Sequence, residues 1–397
     1  MTATGLLRER SQGGEARVET VELFYDLVFV FAITQLSHRL VHHPTIHGAI
    51  ETGILFVAIW SSWVNTAWVT NWLDPNRRRV RFMLFALMAG GLVVSMSIPD
   101  AFAEKAVPFA IAYVAVELGR SAFTALALRR HDHGNYLNFI RILVWQALSG
   151  ALWIAGAFDA EARLWLWAGA MALWTAGPAA FFFVPGLGRS SPEDWNVEAH
   201  HFAERCGLFI IIAFGESILA TGDSFAEIEW TRPAAIAFLA SFVGTVALWW
   251  TYFDIGAERA SETFSHRDRR GRGQVARLAY TYLHIAIVGG IVVAAAAIQL
   301  VIAAPAGPIA PPAFAMTLAG PALFLAGTAA FKRVTGARWW PLSHLAGLAA
   351  IAALALAGRA LQPFQLAVAV AAVLAAVAIW ETLSLAPRLN RSAMDRP

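Results

Sequence analysis

Apolar residues in this chain come in continuous blocks of about 20, separated by short polar or basic stretches, rather than alternating or marking one helical face. At ~1.5 Å per residue, a helix of that length crosses a ~30 Å hydrocarbon layer. The blocks fall at 21–41, 48–72, 80–98, 106–128, 138–158, 162–184, 202–222, 233–253, 278–302, 313–331, 339–358 and 363–385. They predict an all-α, polytopic integral membrane protein of about 12 transmembrane helices. Pro178, Pro321 and Pro341 lie inside or at the start of blocks and predict kinks, which membrane helices tolerate because neighbours re-satisfy the freed backbone. The last three blocks are rich in Ala and poor in polar groups, so they read as scaffold.

The same pattern divides the chain into a cytoplasmic tail (1–20), a first six-helix half (21–184), a linker (185–201), a second half (202–385) and a C-terminal tail (386–397). Similar features recur in the same order in both halves. Spans two and eight close on Trp72-Leu73-Asp74 and Tyr252-Phe253-Asp254. Spans three and nine carry Gly90-Gly91-Leu92-Val93-Val94 and Gly289-Gly290-Ile291-Val292-Val293, and spans four and ten end on Arg129-Arg130 and Lys332-Arg333. Shared order predicts a 6+6 parallel internal repeat, an arrangement that recurs in transporters. The first block holds Glu22 and Asp26 and offers no clean cleavage site, so it reads as a retained span rather than a signal peptide.

Composition agrees. Only 14% of residues are charged, against about 25% in soluble domains, and the mean hydropathy is +0.56. The single cysteine, Cys206, excludes an intrachain disulfide framework and any multi-cysteine metal centre. The basic residues need no nucleic-acid partner, because they follow the loops. With the N-terminus inside, most Lys and Arg fall on the cytoplasmic side, led by Arg77-Arg78-Arg79 and the Arg-rich 254–277 loop. The opposite loops and their edges keep Arg39, Lys105, Arg163, Arg232 and Arg359. That asymmetry predicts a bacterial inner-membrane protein with both termini cytoplasmic.

Several stretches resemble a known family. Glu22-Leu23-Phe24-Tyr25-Asp26-Leu27-Val28-Phe29-Val30-Phe31-Ala32, followed by Thr34-Gln35-Leu36-Ser37-His38, is similar to the opening motif of the bacterial low temperature requirement protein A family. His201-Phe202-Ala203-Glu204-Arg205 and Gly215-Glu216-Ser217-Ile218 resemble its second motif. Trp249-Trp250-Thr251-Tyr252-Phe253-Asp254 and Ala279-Tyr280-Thr281-Tyr282-Leu283-His284 resemble later ones, in the same order. The resemblance covers much of residues 19–300. It implies no catalytic residues, since the family is named for a growth phenotype in the cold.

Physics singles out many of the same positions. A charge at the centre of a membrane helix costs about 2.5–3.5 kcal/mol on insertion scales, so it faces a partner, a bundle interior or water. Glu22 and Asp26 share one helix face and repel unless a cation intervenes. They suit a proton or cation site, or pair with Arg81, Arg141 or Arg205. Span seven adds Glu204, Arg205 and Glu216. Arg205 and Glu216 project from one face about 16 Å apart, too far to pair with each other. Asp254, Tyr282 and His284 complete the substrate- or ion-binding candidates. Glu117 and Arg120, at i and i+3, predict an intrahelical ion pair of structural role.

These residues support two functions. The first is a secondary transporter or ion-conducting protein acting on protons or small ions and solutes. The other is a membrane-embedded enzyme for a lipid or lipid-linked substrate, with Glu204, His201 and Asp254 at a lateral opening. A homo-oligomer in the bilayer is compatible with either. No P-loop, nucleophile elbow or dinucleotide fingerprint is present, and no cofactor is expected. His38 and His42, at i and i+4, are weak metal candidates without an accompanying Cys or carboxylate nearby.

Overall fold

The structure, a computed structural model, describes residues 3–8, 18–191, 194, 197–254, 261, 263–337 and 339–394, with residues 3, 4, 269 and 385–394 described by backbone alone. Parts of the expected tails, of the 185–201 linker and of the 254–277 loop therefore lie outside the described residues. Among the described residues the protein is all-helical. The first half supplies α1 (Thr20–His42), α2 (Ile46–Thr70), α3 (Arg78–Ser97), α4 (Ala106–Leu128), α5 (His133–Phe158) and α6 (Arg163–Ala179). There follow α7 (Ala199–Ala226), α8 (Arg232–Phe253), α9 (Arg269–Val275), a π-helical stretch (Ala276–Leu283), α10 (His284–Ala303), α11 (Pro311–Thr335), α12 (Leu342–Ala357) and α13 (Pro363–Met394). Eleven helical segments are long and apolar enough to cross a membrane, the segment Arg270–Ala303 counted as one. The chain is a polytopic membrane protein.

Three boundaries differ from expectation for local reasons. The sixth span ends at Ala179 rather than near 184, which leaves α6 at 17 residues. Pro178 weakens its last turn, and Phe181 and Phe182 adopt φ of 52° and 50°, turning the chain into a short hairpin closed between Val184 and Gly188. The ninth span begins earlier, because α9 and the π-helical stretch continue without a break into α10. The last helix reaches Met394, so residues expected as a tail are helical there.

The chain divides into two units. One comprises residues 1–39, 46–205 and 267–276, the other 40–45, 206–266 and 277–397. In the first, α4 packs on α3, α5 and α2, and α6 on α5. Its centre is aromatic: Trp60, Trp63, Trp153 and Trp167 are fully buried, and Trp167 Nε1 donates to the Trp153 carbonyl at 3.0 Å. In the second, α10 packs along α11, and α13 along α8 and α12. The α10–α11 contact is nearly backbone to backbone. A Cβ at Gly290 would lie 2.6 Å from the Phe324 nitrogen, and one at Gly320 2.6 Å from the Ala294 nitrogen. Only glycine permits that approach.

Candidate functional site

In the first unit, the periodicity of α1 stacks Glu22 over Asp26, and that of α7 stacks His201 over Arg205. Both pairs are at i and i+4, so each helix presents two polar side chains one turn apart. All four side chains are buried. Arg205 spans both carboxylates: one guanidinium nitrogen lies 2.8 Å from Glu22 Oε1 and the other 2.6 Å from Asp26 Oδ1. The cation that relieves the carboxylate repulsion is thus Arg205. Arg141 instead binds the Leu187 carbonyl and Asn138, and Arg81 is exposed.

α2 supplies the rest of the frame. Trp63 Nε1 donates to Asp26 Oδ1 at 2.8 Å, and the Arg205 guanidinium lies 5.7 Å above the Trp63 ring. Arg205 also donates to Thr70 Oγ1 at 3.4 Å. Just past α2, Asn71 Oδ1 accepts from the Glu198 N–H at 2.7 Å, which fixes the amide and turns its Nδ2 toward His201 Nδ1 at 3.3 Å. An amide nitrogen can only donate, so Nδ1 is the acceptor in that contact, and Nε2 is the nitrogen that faces Glu22. That nitrogen lies 3.1 Å from both Glu22 oxygens. Within this cluster, Asp26 Oδ2 and Arg205 Nε have no hydrogen-bond partner among the described residues, and the same holds for Glu117 Oε1 and Arg120 Nε of the neighbouring pair.

The Glu117–Arg120 pair closes at 2.6 Å and lies in the same unit. Glu117 Oε2 also accepts from Asn65 at 3.0 Å and Gln146 at 3.2 Å. Arg120 donates to Thr66 Oγ1 at 3.4 Å, and that hydroxyl meets Tyr25 OH at 2.9 Å. Thr66 and Thr70, one turn apart on α2, therefore link the Arg120 pair to the Arg205 cluster in a single polar stripe.

The other candidates lie elsewhere. Glu204, three residues after His201 on α7, is exposed. Glu216 is buried in the second unit. There, His284 is held on both nitrogens, by Tyr252 OH at 2.8 Å and the Ala279 carbonyl at 2.9 Å, while Tyr282 is half-buried. Asp254 is exposed and accepts from Thr382 Oγ1 at 2.6 Å. Of the three residues of the enzyme reading, His201 is buried, and Glu204 and Asp254 are exposed. His38 and His42 are exposed, and no group of three or more His, Cys, Asp or Glu able to hold a metal occurs among the described residues.

Two features escaped the sequence reading. The helices read as scaffold hold a half-buried ion pair, Lys332 Nζ to Glu381 Oε1 at 2.5 Å, with His344 Nε2 3.9 Å from Glu381 Oε2. Its members sit on three helices far apart in sequence, so nothing local signals it. A small cavity of ≈ 60 Å³ opens between α8, α10, α11 and α13, lined by Ser241, Gly244, Thr245, Thr317 and Pro321 among apolar groups. None of the candidate carboxylates lines it. For His201 a signal did exist, since His201/Arg205 repeats the spacing of Glu22/Asp26.

Residues 17–379 match the family described as Bacterial low temperature requirement A protein (LtrA). The chain is also similar to the uncharacterized protein RA0937 of Rhizobium meliloti (strain 1021), 38% identical over 379 residues that span 94% of this chain and 90% of the relative. No solved structure matches.

Proposed function

Because the chain belongs to the bacterial low temperature requirement A family, a family of membrane proteins, we propose that it is a secondary transporter or ion-conducting protein whose coupling site is the Glu22–Asp26–Arg205–His201 cluster. The observation that carries this reading is one guanidinium shared by two buried carboxylates, with Asp26 Oδ2 left without a partner among the described residues. Leaving a buried polar group unpaired costs about 1–3 kcal/mol. Here the network keeps one carboxylate oxygen available. A proton arriving at Asp26 neutralises it and weakens its bond to Arg205, leaving Arg205 on Glu22 alone. Loading and unloading that proton thereby changes how firmly α1 holds the start of α7, which is the elementary event a coupled transporter requires.

The protein works in this reading as a multi-pass protein of the bacterial inner membrane with both termini cytoplasmic, surrounded by lipid. Its energy source is an ion gradient.

The test is reconstitution into liposomes carrying an internal pH dye, with a potassium diffusion potential set by valinomycin. Potential-driven H⁺ uptake, read by the dye, and radioactive Na⁺ uptake measured in parallel are compared with protein-free vesicles. Wild-type protein should accelerate at least one of these fluxes, and Asp26→Asn should reduce it by about tenfold or more, matching the ~1.4 kcal/mol or more expected from losing a charged hydrogen-bond partner. No flux above protein-free vesicles, or equal flux in wild type and Asp26→Asn, overturns the proposal.

A further inference from the structure

Residues 6–8 are tied to the end of α2. The backbone of Leu6 and Arg8 pairs with the end of α2: the Asp74 N–H donates to the Leu6 carbonyl at 2.8 Å, and the Arg8 N–H to the Trp72 carbonyl at 2.8 Å. Leu7 and Leu73 form the bridge between them. This anchoring turns the Arg8 side chain inward. Its Nε donates to the Thr70 carbonyl at 2.8 Å and its NH2 to Glu22 Oε2 at 2.8 Å, while NH2 also lies 3.0 Å from His201 Nε2. Thr70 ends α2, so its carbonyl has no α-helical donor four residues on and is open to an outside one.

The burial is graded. The Glu22 and His201 side chains are fully buried, whereas the Arg8 side chain keeps 12% of its surface exposed. Arg8 is therefore the outermost group of the cluster, and it covers Glu22 from the side away from Arg205. Charge bookkeeping points the same way. Within the cluster Arg205 already bridges Glu22 and Asp26, and Arg8 supplies the second positive charge. The acceptors it meets, a helix-end carbonyl and a carboxylate oxygen, match a guanidinium fork.

We infer that the mouth of this cluster is a binding site for guanidinium-class cations, and that Arg8 is its tethered resident, a plug that closes Glu22 and His201 from the aqueous side until the segment withdraws. The inference deepens the proposed coupling site, since withdrawal of the plug is what would expose Glu22. The binding claim stands on geometry alone and is tested without transport.

The experiment uses the full-length protein in detergent, with methylguanidinium as the probe and thermal unfolding as the readout. Arg8→Ala should lower the midpoint by about 2–4 °C, and methylguanidinium in the low millimolar range should restore most of that loss. Equal concentrations of urea or sodium chloride should not. Wild-type protein, with its site filled, should show no such gain, and Arg8→Ala combined with Glu22→Gln should lose the rescue. Should Arg8→Ala fail to fold, Arg8→Gln, which keeps chain length and one donor, carries the same titration. Absence of rescue in a folded Arg8 variant, or the same gain in wild type, overturns the inference. Failure here with cation flux that depends on Asp26 would leave the coupling site standing without its plug. Rescue without any flux would leave a guanidinium site in a protein that does not conduct.

Discussion

Arg205 illustrates how one residue decides the state of several others. Two carboxylates buried one turn apart are bridged by its single planar fork, which reaches both, at 2.8 and 2.6 Å. Removing one partner of such an arrangement strands the rest and costs about 3–5 kcal/mol, whereas removing all the charges together is often nearly neutral. Arg205→Gln should therefore melt far below wild type in detergent. The triple change Glu22→Gln, Asp26→Asn, Arg205→Gln should recover much of that difference. A triple variant no more stable than Arg205→Gln would mean the cluster is not held together by its charges. Arg205→Lys should fall between, because an ammonium on a single stem does not bridge both carboxylates in the fork's geometry.

At the scale of elements, α10 and α11 meet where side chains are absent. The Cβ of Gly290→Ala would sit 2.6 Å from the Phe324 nitrogen and 2.8 Å from the Gly320 oxygen, atoms of a helix backbone that do not rotate away. The helices must separate, at a cost of about 1–3 kcal/mol. Gly119 on α4 is exposed, with nothing within 4 Å of the same construction. Gly119→Ala should then be neutral or stabilising by about 0.5–1 kcal/mol, through the better helix propensity of Ala. Thermal melts of the two variants against wild type check the pair, and equal effects would remove close backbone contact as the reason for Gly290. The π-helical stretch before α10 is pinned in a comparable way. The His284 ring bonds back to the Ala279 carbonyl inside that stretch and outward to Tyr252, so one side chain ties the irregular turn to α8.

For the whole molecule, the placement of basic residues predicts topology. A reporter fused after Pro397 should behave as cytoplasmic, and one inserted near Ala306 as external. A C-terminal reporter found outside would break an even number of crossings and, with it, the expected 6+6 arrangement. The 17-residue α6 is the segment on which that count depends. It is near the lower limit for a crossing helix, so local thinning of the bilayer or burial in the bundle has to make up the difference.

The architecture was legible in the sequence because hydrocarbon imposes a one-dimensional rule: about 20 apolar residues in a row, with every backbone group satisfied inside the helix. Glu22, Asp26 and Arg205 were legible for the same reason, since a charge inside such a block is costly enough to announce itself. Their partners were not. That Arg205 rather than Arg141 answers the two carboxylates depends on which helix faces which, and no periodicity along one chain encodes that. Arg8 lay in what read as a tail, and only a backbone pairing with Leu73 turns it toward Glu22. Lys332, Glu381 and His344 were hidden at the ends of Ala-rich helices, where single polar residues pass for interface groups until packing brings them together. The sequence determined that the chain is a polytopic helical membrane protein and which charges need explaining. The tertiary structure decided which charges meet, because pairing in a helical bundle is set by contacts between residues far apart in the chain.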